Sequence, residues 1–596
     1  MCGIVGYIGK KNSLPILIKG LKRLEYRGYD SAGIAYLKDK TIKITKTTGR
    51  IKQLEQKIEN KDYSNIGIGH TRWATHGGVT VTNSHPHQVE NITIVHNGII
   101  ENYQEIKQDL IKEGYSFKSD TDTEVACAYI NYLYKKSKTK DIKEILNNCI
   151  EKFQGSYAIS IIIEEIPDKL FVLKKDSPLI IATSESGNYI ASDISAYIDE
   201  ASKYVILEDM QIGIITQNDI EIYENSKKIK PKFHDITSNY TTNEKGQYEH
   251  YMQKEIAEQK ELIANENSLY LEHLEKIPDI TKYTKIHIIG CGTAYHAGMI
   301  GKYLIEKYND FEVNVYIASE YRYQKIFYDK NTLVIAASQS GETADTLACL
   351  KKAKENNCTT IGIVNVENSS IARIVDEVIY TKAGPEVAVA STKAYTSQVY
   401  IFSLLALKIA LTKQLISLEE ITKQYQILPK LIEKLLNLDY SDIIKHFWND
   451  KDIFYLGRNI DYVSVLEGSL KLKEISYIHS EAYQAGELKH GTISLIEKGT
   501  CVISLITDDK TASKTISNIK EVKARGAYII LLIKKSLNQN IDNSCYDKLI
   551  VIDDIHPLVQ PILNVIPLQL IAYNVAKKRG CDIDKPRNLA KSVTVE

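Results

Sequence analysis

The chain has few cysteines, no apolar run long enough to span a bilayer, and no excess of either charge. Nine cysteines are scattered over 596 residues without a C-x-x-C pair. That excludes a disulfide framework and a zinc ribbon, and it makes a reducing cytoplasm the expected setting. The balance of 75 basic against 75 acidic side chains argues against a general nucleic-acid or acidic-membrane binder, leaving room only for a local basic patch. The longest apolar stretch, 399–411, is broken by Ser403 and Lys408, so it is expected to be a core helix and not a membrane span. Lys10 and Lys11 follow the apolar start instead of preceding it, and no A-x-A pattern comes after them, which does not fit a targeting segment. No low-complexity tract is present. A length of 596 residues exceeds what one core usually supports, so several domains are expected.

Residues 1 to about 238 favour short strands. Segments 31–34 and 41–47 flank a Lys-Asp-Lys turn, and 66–73, 92–96, 158–163, 170–173 and 189–192 are further apolar or alternating runs. Helical periodicity is confined mainly to 103–113, 123–135 and 142–153. Strands clustered with few helices predict an α+β layered domain over 2–238. The polar, turn-forming stretch around 239–250 reads as a linker.

Beyond it the rhythm becomes strand–loop–helix. A strand at 285–289 ends in Gly290-Cys291-Gly292-Thr293. Another at 332–337 ends in Ser338-Gln339-Ser340-Gly341-Glu342-Thr343, and 359–364 follows. This predicts parallel, doubly wound sheets. The pattern repeats: 334–344 and 359–364 align with 502–512 and 527–532 at one offset, and 453–457 parallels 286–290. Both copies keep a Thr-Ala at the helix start, and only the first keeps the Ser-Gln-Ser-Gly loop. Two related α/β domains are expected, 251–440 and 441–584, followed by a tail at 585–596.

Cys2 stands where removal of Met1 would expose an α-amine beside the thiol. An N-terminal nucleophile needs that pairing, since the amine takes the thiol proton and sulfur attacks a carbonyl. Alone, Cys2 is also an ordinary small residue, an Asn-Gly pair also makes a turn, and Asp122 could cap the helix beginning near Thr123. The spacing of His70, His76, His85, His87 and His96 matches no standard ligand pattern, so no metal is expected.

Taken together, MCGIVGYIG at the start, LEYRGYDSAG at 24–33, HTRWATHG at 70–77, HPH at 85–87, HNGIIEN at 96–102 and SDTDTE at 119–124 resemble the class II glutamine amidotransferase domain. More specifically, the whole chain resembles the isomerizing glutamine–fructose-6-phosphate aminotransferases. The resemblance implies a four-layer αββα Ntn-hydrolase glutaminase domain followed by two α/β SIS (sugar-isomerase) domains. It implies Cys2 as nucleophile, with Asn97 and Gly98 as the oxyanion hole. Arg72 would clamp the glutamine carboxylate, Asp122 would pair with its ammonium, Thr75 and His76 would line the pocket, and Trp73 would gate an ammonia path.

The Ser338–Thr343 loop joins hydroxyls, a glycine and a helix N-terminus, which suits a phosphate. No Gly-Lys-Ser/Thr follows, so it is not a nucleoside-triphosphate loop. The same family resemblance adds Thr293, Val389, Ser391, Arg458, Lys471 and Ala590 to the sugar-phosphate contacts made by Ser338, Gln339, Ser340 and Thr343. On the helix expected over 464–477, Glu467, Lys471 and Glu474 share a face, a pattern that a solvated ion-pair stripe would also produce. The resemblance makes Glu474 the isomerase base, His490 the ring-opening histidine contributed by a second subunit of a homodimer, and Lys591 the Schiff-base lysine. Glutamine and fructose 6-phosphate are the implied substrates, with no cofactor, nucleic acid or membrane partner. Two departures stand out. Ala294 replaces the family's usual serine, removing a hydroxyl from the phosphate contacts, and Thr492 replaces a common proline. Two rivals share part of the pattern: a class II amidotransferase acting on phosphoribosyl pyrophosphate or an adenylated acid, and a SIS sugar-phosphate sensor with a vestigial amidotransferase domain. Glu474, His490 and Lys591 have no use in a sensor.

Overall fold

The structure, a computed structural model, describes residues 2–59, 62–236 and 245–594. Positions 237–244, which carry much of the expected linker, lie outside them. The chain divides into two compact units, Met1–Thr242 with Ala590–Glu596, and Asn243–Leu589.

Two antiparallel sheets build the amino-terminal unit, one of eight strands and one of seven. Strand Ile66–Arg72 shows how alternation sorts their faces. Ile66 and Ile68 join Ile4, Val95, Ala158 and Val172 in a core shared by both sheets. Gly67 and Gly69 face the other way, where an added Cβ would press on Leu17 or Leu21 of helix Ser13–Leu24 at 2.8 and 3.1 Å. Those glycines let the helix settle closely on the sheet. Helices Asp122–Lys136 and Ile142–Lys152 cover the outer face of the second sheet. The result is the expected four-layer αββα arrangement.

The sequence reading overlooked helix Ser13–Leu24. Pro15 and Gly20 obscure its period, but Pro15 lies in the first turn, where a missing N–H costs nothing, and Asn12 caps it by accepting from the Leu14 N–H. Its apolar stripe Leu14, Leu17, Leu21 and Leu24 is buried. A second difference concerns Asn97-Gly98. The strand expected over 92–96 runs as Ile92–Ile100, so the pair lies inside a ladder, with Gly98 opposite Tyr157.

The carboxy-terminal unit contains two five-stranded parallel sheets of identical topology. In the first the order is Glu312–Ile317, Lys285–Gly290, Thr332–Ser338, Thr359–Val364, Glu377–Tyr380. In the second it is His479–Gln484, Asp452–Gly457, Cys501–Ile506, Tyr528–Lys534, Lys548–Ile552. Both are 2-1-3-4-5 sheets, whose ligand crevice lies at the carboxyl ends of strands 1 and 3, where the winding reverses. The repeat seen in the sequence is therefore a repeat of structure. Thr343 and Thr511, its matched threonines, are both N-caps. Gly292 (φ 52°, ψ −123°) and Asn459 (φ 53°, ψ −128°) adopt the same backbone just before the first helix of each copy.

Helix Lys393–Thr412 is the only helix among the described residues long and apolar enough to cross a membrane, and 89% of its apolar window is buried within the fold. As anticipated for 399–411, it is a core helix. Its Tyr395, Phe402 and Leu405 share one hydrophobic core with Ile286, Ile453 and Val565 from both repeats.

Candidate active sites

In the amino-terminal unit, Cys2 lies at the head of the central strand Gly3–Gly9. Its Sγ accepts the Trp73 N–H at 3.3 Å and lies 3.4 Å from the Trp73 carbonyl oxygen. Burial pushes the thiol pKa up, opposed by the Trp73 hydrogen bond and the Arg72 charge. The thiol therefore needs a base to deliver a thiolate. Asn97 Nδ2 donates to the Cys2 carbonyl oxygen at 3.1 Å, so the amide stands directly beside the nucleophile. Gly98 has φ +114°, and a Cβ there would overlap the Ser156 carbonyl oxygen. Only glycine fits at this point of the ladder.

Arg72 ends strand Ile66–Arg72. Its guanidinium donates to the carbonyls of Gly77 and Gly78, each at 3.2 Å, and of His76. The fork thus secures the loop that carries Thr75 and His76. Thr75 is exposed, and the His76 ring meets Tyr103 edge-on at 5.4 Å. Trp73, half-buried, meets the Tyr29 ring edge-on at 6.1 Å. Asp122 is buried, and its Oδ2 accepts the Ile100 N–H at 2.9 Å. It does not cap its helix. Thr121 does, by accepting from the Glu124 N–H. Four of the five histidines noted in the sequence come together in the interior. His70, His85, His87 and His96 are buried, and His85 stacks on His70 at 4.1 Å and on His96 at 6.4 Å.

In the carboxy-terminal unit the two repeats meet at a charged cluster. Helix Ile460–Ser476 of the second repeat carries Glu467, Lys471 and Glu474. Lys471 Nζ is 2.6 Å from Glu474, 3.4 Å from Glu467 and 3.0 Å from the Thr293 hydroxyl of the first repeat. Thr293 in turn donates to Glu467 at 3.1 Å. Glu467 and Lys471 side chains are completely buried, while Glu474 keeps 19% of its surface. This is no solvated stripe. Burial opposes the Lys471 charge, but the carboxylates of Glu467 and Glu474 overcome it and the pKa rises.

The Ser338–Thr343 loop leaves strand 3 of the first repeat at the switch point. Ser338 Oγ accepts the Gly341 N–H at 3.0 Å and lies 3.1 Å from Thr343 Oγ1, and Ser340 Oγ accepts the Glu342 N–H at 3.2 Å. The Gln339 carbonyl accepts from Asn365 N–H at 3.2 Å. Gly341 has φ +66° and a Cβ would overlap Ser369 Oγ, so the loop closes only on glycine. Val389 N–H donates to the Asp584 carbonyl at 3.0 Å, and Ser391 Oγ to Glu386 at 2.6 Å. Arg458 is held by Asn518 of its own repeat at 2.9 Å. His490 ends a short 3₁₀ turn and is exposed. Ala590 and Lys591 pack with the amino-terminal unit, whereas Arg587 lies over the Tyr477 ring at 4.3 Å in the carboxy-terminal one.

The glutamine amidotransferase domain model matches residues 80–199, and the SIS domain model matches 279–408 and 446–578. A glutamine–fructose-6-phosphate aminotransferase [isomerizing] from Caldanaerobacter subterraneus subsp. tengcongensis is 48% identical, and one from Clostridium tetani is also 48% identical. Each alignment covers 100% of both chains. The chain belongs to the isomerizing glutamine–fructose-6-phosphate aminotransferase family. Among solved structures, the C-terminal domain of a glucosamine-fructose-6-phosphate aminotransferase from Francisella tularensis is 38% identical. It covers 58% of this chain and 100% of its own, with a TM-score of 0.54.

Within this family framework, Ala294 is half-buried beside Thr293 on the first turn of its helix. Thr492 opens a 3₁₀ turn after Gly491. Sequence reasoning missed His296. Its Nδ1 sits 2.8 Å from Glu467 Oε2, completing the cluster from the first repeat. Its i+3 spacing from Thr293 at a helix start was visible, but its partner lies 171 residues away. Also missed was Lys46, whose Nζ donates to the carbonyls of Thr82, Ser84 and Pro86 at 3.3, 2.7 and 3.2 Å.

Proposed function

We propose that the chain converts glutamine and fructose 6-phosphate into glutamate and glucosamine 6-phosphate. The observation carrying this reading is the pairing of Cys2 with the Asn97 amide at 3.1 Å on a chain whose other half holds a buried lysine–carboxylate cluster. After removal of Met1, the Cys2 amine takes the thiol proton and sulfur adds to the glutamine side-chain carbonyl. Asn97 Nδ2 and Gly98 N–H bind the oxyanion. Its collapse breaks the C–N bond, releases ammonia and leaves a thioester that water hydrolyses to glutamate. Arg72 and Asp122 hold the amino-acid head, Thr75 and His76 line the pocket, and Trp73 gates the ammonia.

The ammonia is consumed internally, because release to water would protonate it. The sugar phosphate binds to Ser338, Gln339, Ser340 and Thr343, with Thr293, Val389, Ser391, Arg458, Lys471 and Ala590. His490 of a second copy opens the ring, Lys591 forms an imine with the ketone carbon, and ammonia displaces the lysine. Glu474 then moves a proton from C1 to C2, with Lys471 tuning its charge. The sequence is redox-neutral and draws on side chains, the Cys2 amine, the Gly98 N–H and water. A cytoplasmic homodimer is part of the reading, supported by the exposed His490 and the unpaired cysteines.

The test is Cys2→Ala with glutamine or ammonium as donor. Amino sugar formed from ammonium, with none from glutamine, supports two separable sites. Equal loss with both donors overturns them.

A further inference from the structure

Asn97 can donate to an oxyanion only if its amide points one way. Its Nδ2 faces the Cys2 carbonyl oxygen, which has no proton to offer. The amide oxygen must therefore face the opposite side, where His70 Nε2 lies 3.1 Å away. His70 belongs to strand Ile66–Arg72, has no exposed surface, and stacks on His85 with ring planes 25° apart. Its Nδ1 is buried without a hydrogen-bond partner. A neutral imidazole has a single N–H, and with the Asn97 oxygen facing Nε2 that nitrogen carries it.

We propose that His70 is a positioning residue for glutamine hydrolysis: its Nε2–H fixes the Asn97 amide so that one Nδ2–H holds the Cys2 carbonyl and the other faces the oxyanion. This rests on the reading of Cys2 as nucleophile and Asn97 as oxyanion donor. With the amide turned over, an oxygen would face both the Cys2 carbonyl and the developing negative charge. Burial, reinforced by the neighbouring His96 and Arg72, keeps His70 neutral, its pKa moved down to about 3. The tautomer therefore persists at any working pH near neutrality. The strand fixes the ring from one side and His85 from the other, so His70 offers the proton in one direction without touching substrate.

The experiment compares His70→Met and His70→Gln in the full Met1-trimmed chain. It measures kcat and KM for glutamine hydrolysis and the rate of Cys2 alkylation by iodoacetamide, which displaces iodide and forms no oxyanion. Losing one oriented donor predicts a kcat reduced roughly tenfold to a hundredfold in His70→Met, with KM and alkylation within about twofold. Gln can donate from its amide, so His70→Gln returns kcat to within about fivefold of the parent. A His70→Met kcat within about twofold of the parent overturns the proposal, as does a parallel fall in alkylation or a Gln variant as impaired as the Met variant. The unsubstituted protein gives a second readout should a variant not fold. Nitrogen-15 shifts of labelled histidine assign the His70 proton to Nε2, and a proton on Nδ1 overturns the proposal. Glutamine hydrolysis surviving Cys2→Ala would remove the nucleophile reading itself, a separate result.

Discussion

Lys471 stands between two carboxylates of its own helix, 2.6 Å from Glu474 and 3.4 Å from Glu467, and 3.0 Å from Thr293 of the other repeat. Fully buried ion pairs carry large desolvation costs, so their value lies in where they hold charge more than in stability. Here the lysine keeps Glu474, the more accessible carboxylate, in one orientation at the seam between repeats.

Removing that lysine leaves two carboxylates without their cation. Lys471→Met is expected to cost about 3–5 kcal/mol in urea unfolding of the carboxy-terminal unit. The double variant Lys471→Met/Glu467→Gln should recover a large part of it, because the fully buried one of the two carboxylates no longer carries a charge and only the more accessible Glu474 is left without its cation. A double-mutant cycle with no coupling between the two positions would contradict the arrangement. Amino sugar formation should be lost in both variants while glutamine hydrolysis continues.

The histidine cluster sets the acid limit of the amino-terminal unit. Burial lowers the pKa of His70, His85, His87 and His96. Each binds its proton more weakly folded than unfolded, so the unfolded chain gains protons first as pH falls. The stability these groups permit is complete above about pH 6.5 and is lost on acidification toward about pH 3, the folded value for His70. Each uncompensated proton steepens the loss by about 1.4 kcal/mol per pH unit. With only two tryptophans, a Trp448→Phe background lets Trp73 fluorescence follow this unit alone. His70→Gln should reduce the slope by about one proton, and a flat profile from pH 6.5 to 4.5 would contradict the account.

The phosphate loop turns on Gly341. Gly341→Ala introduces a Cβ that overlaps Ser369 Oγ at a positive φ. The loop must move, raising KM for fructose 6-phosphate by about tenfold or more. Adding Ser369→Gly removes the overlap but not the backbone strain, so it should restore affinity in part. Sugar kinetics with saturating ammonium measure this without involving the glutaminase site.

Restoring the missing hydroxyl is a milder test. Ala294→Ser adds a donor at the half-buried helix start. One neutral hydrogen bond contributes about 0.5–1.5 kcal/mol, which lowers KM for fructose 6-phosphate by about two- to tenfold. No change would show that the residue next to Thr293 does not face the phosphate.

Much of this was legible in the sequence because the chemistry and the chain order coincide. Cys2 needs only its own amine, and the Ser338–Thr343 loop is contiguous. Glu467, Lys471 and Glu474 are spaced by one helical turn, so their shared face could be read directly. Their burial could not, because it depends on Thr293 and His296 arriving from another repeat. Helix Ser13–Leu24 escaped notice because Pro15 and Gly20 read as breakers until first-turn placement and close packing explain them. Asn97-Gly98 has the composition of a turn, and only its pairing with Ala158 and Tyr157 makes it a strand. The His70–Asn97 contact joins two sheets, and no local pattern announces it.

The most direct measurement gives the purified, Met1-trimmed chain glutamine and fructose 6-phosphate and quantifies glutamate and glucosamine 6-phosphate together. A two-site enzyme produces them in equal amounts, and ammonium replaces glutamine in Cys2→Ala. Glutamate without amino sugar would contradict the sugar-site assignment, and neither product from a correctly processed chain would contradict the enzyme itself.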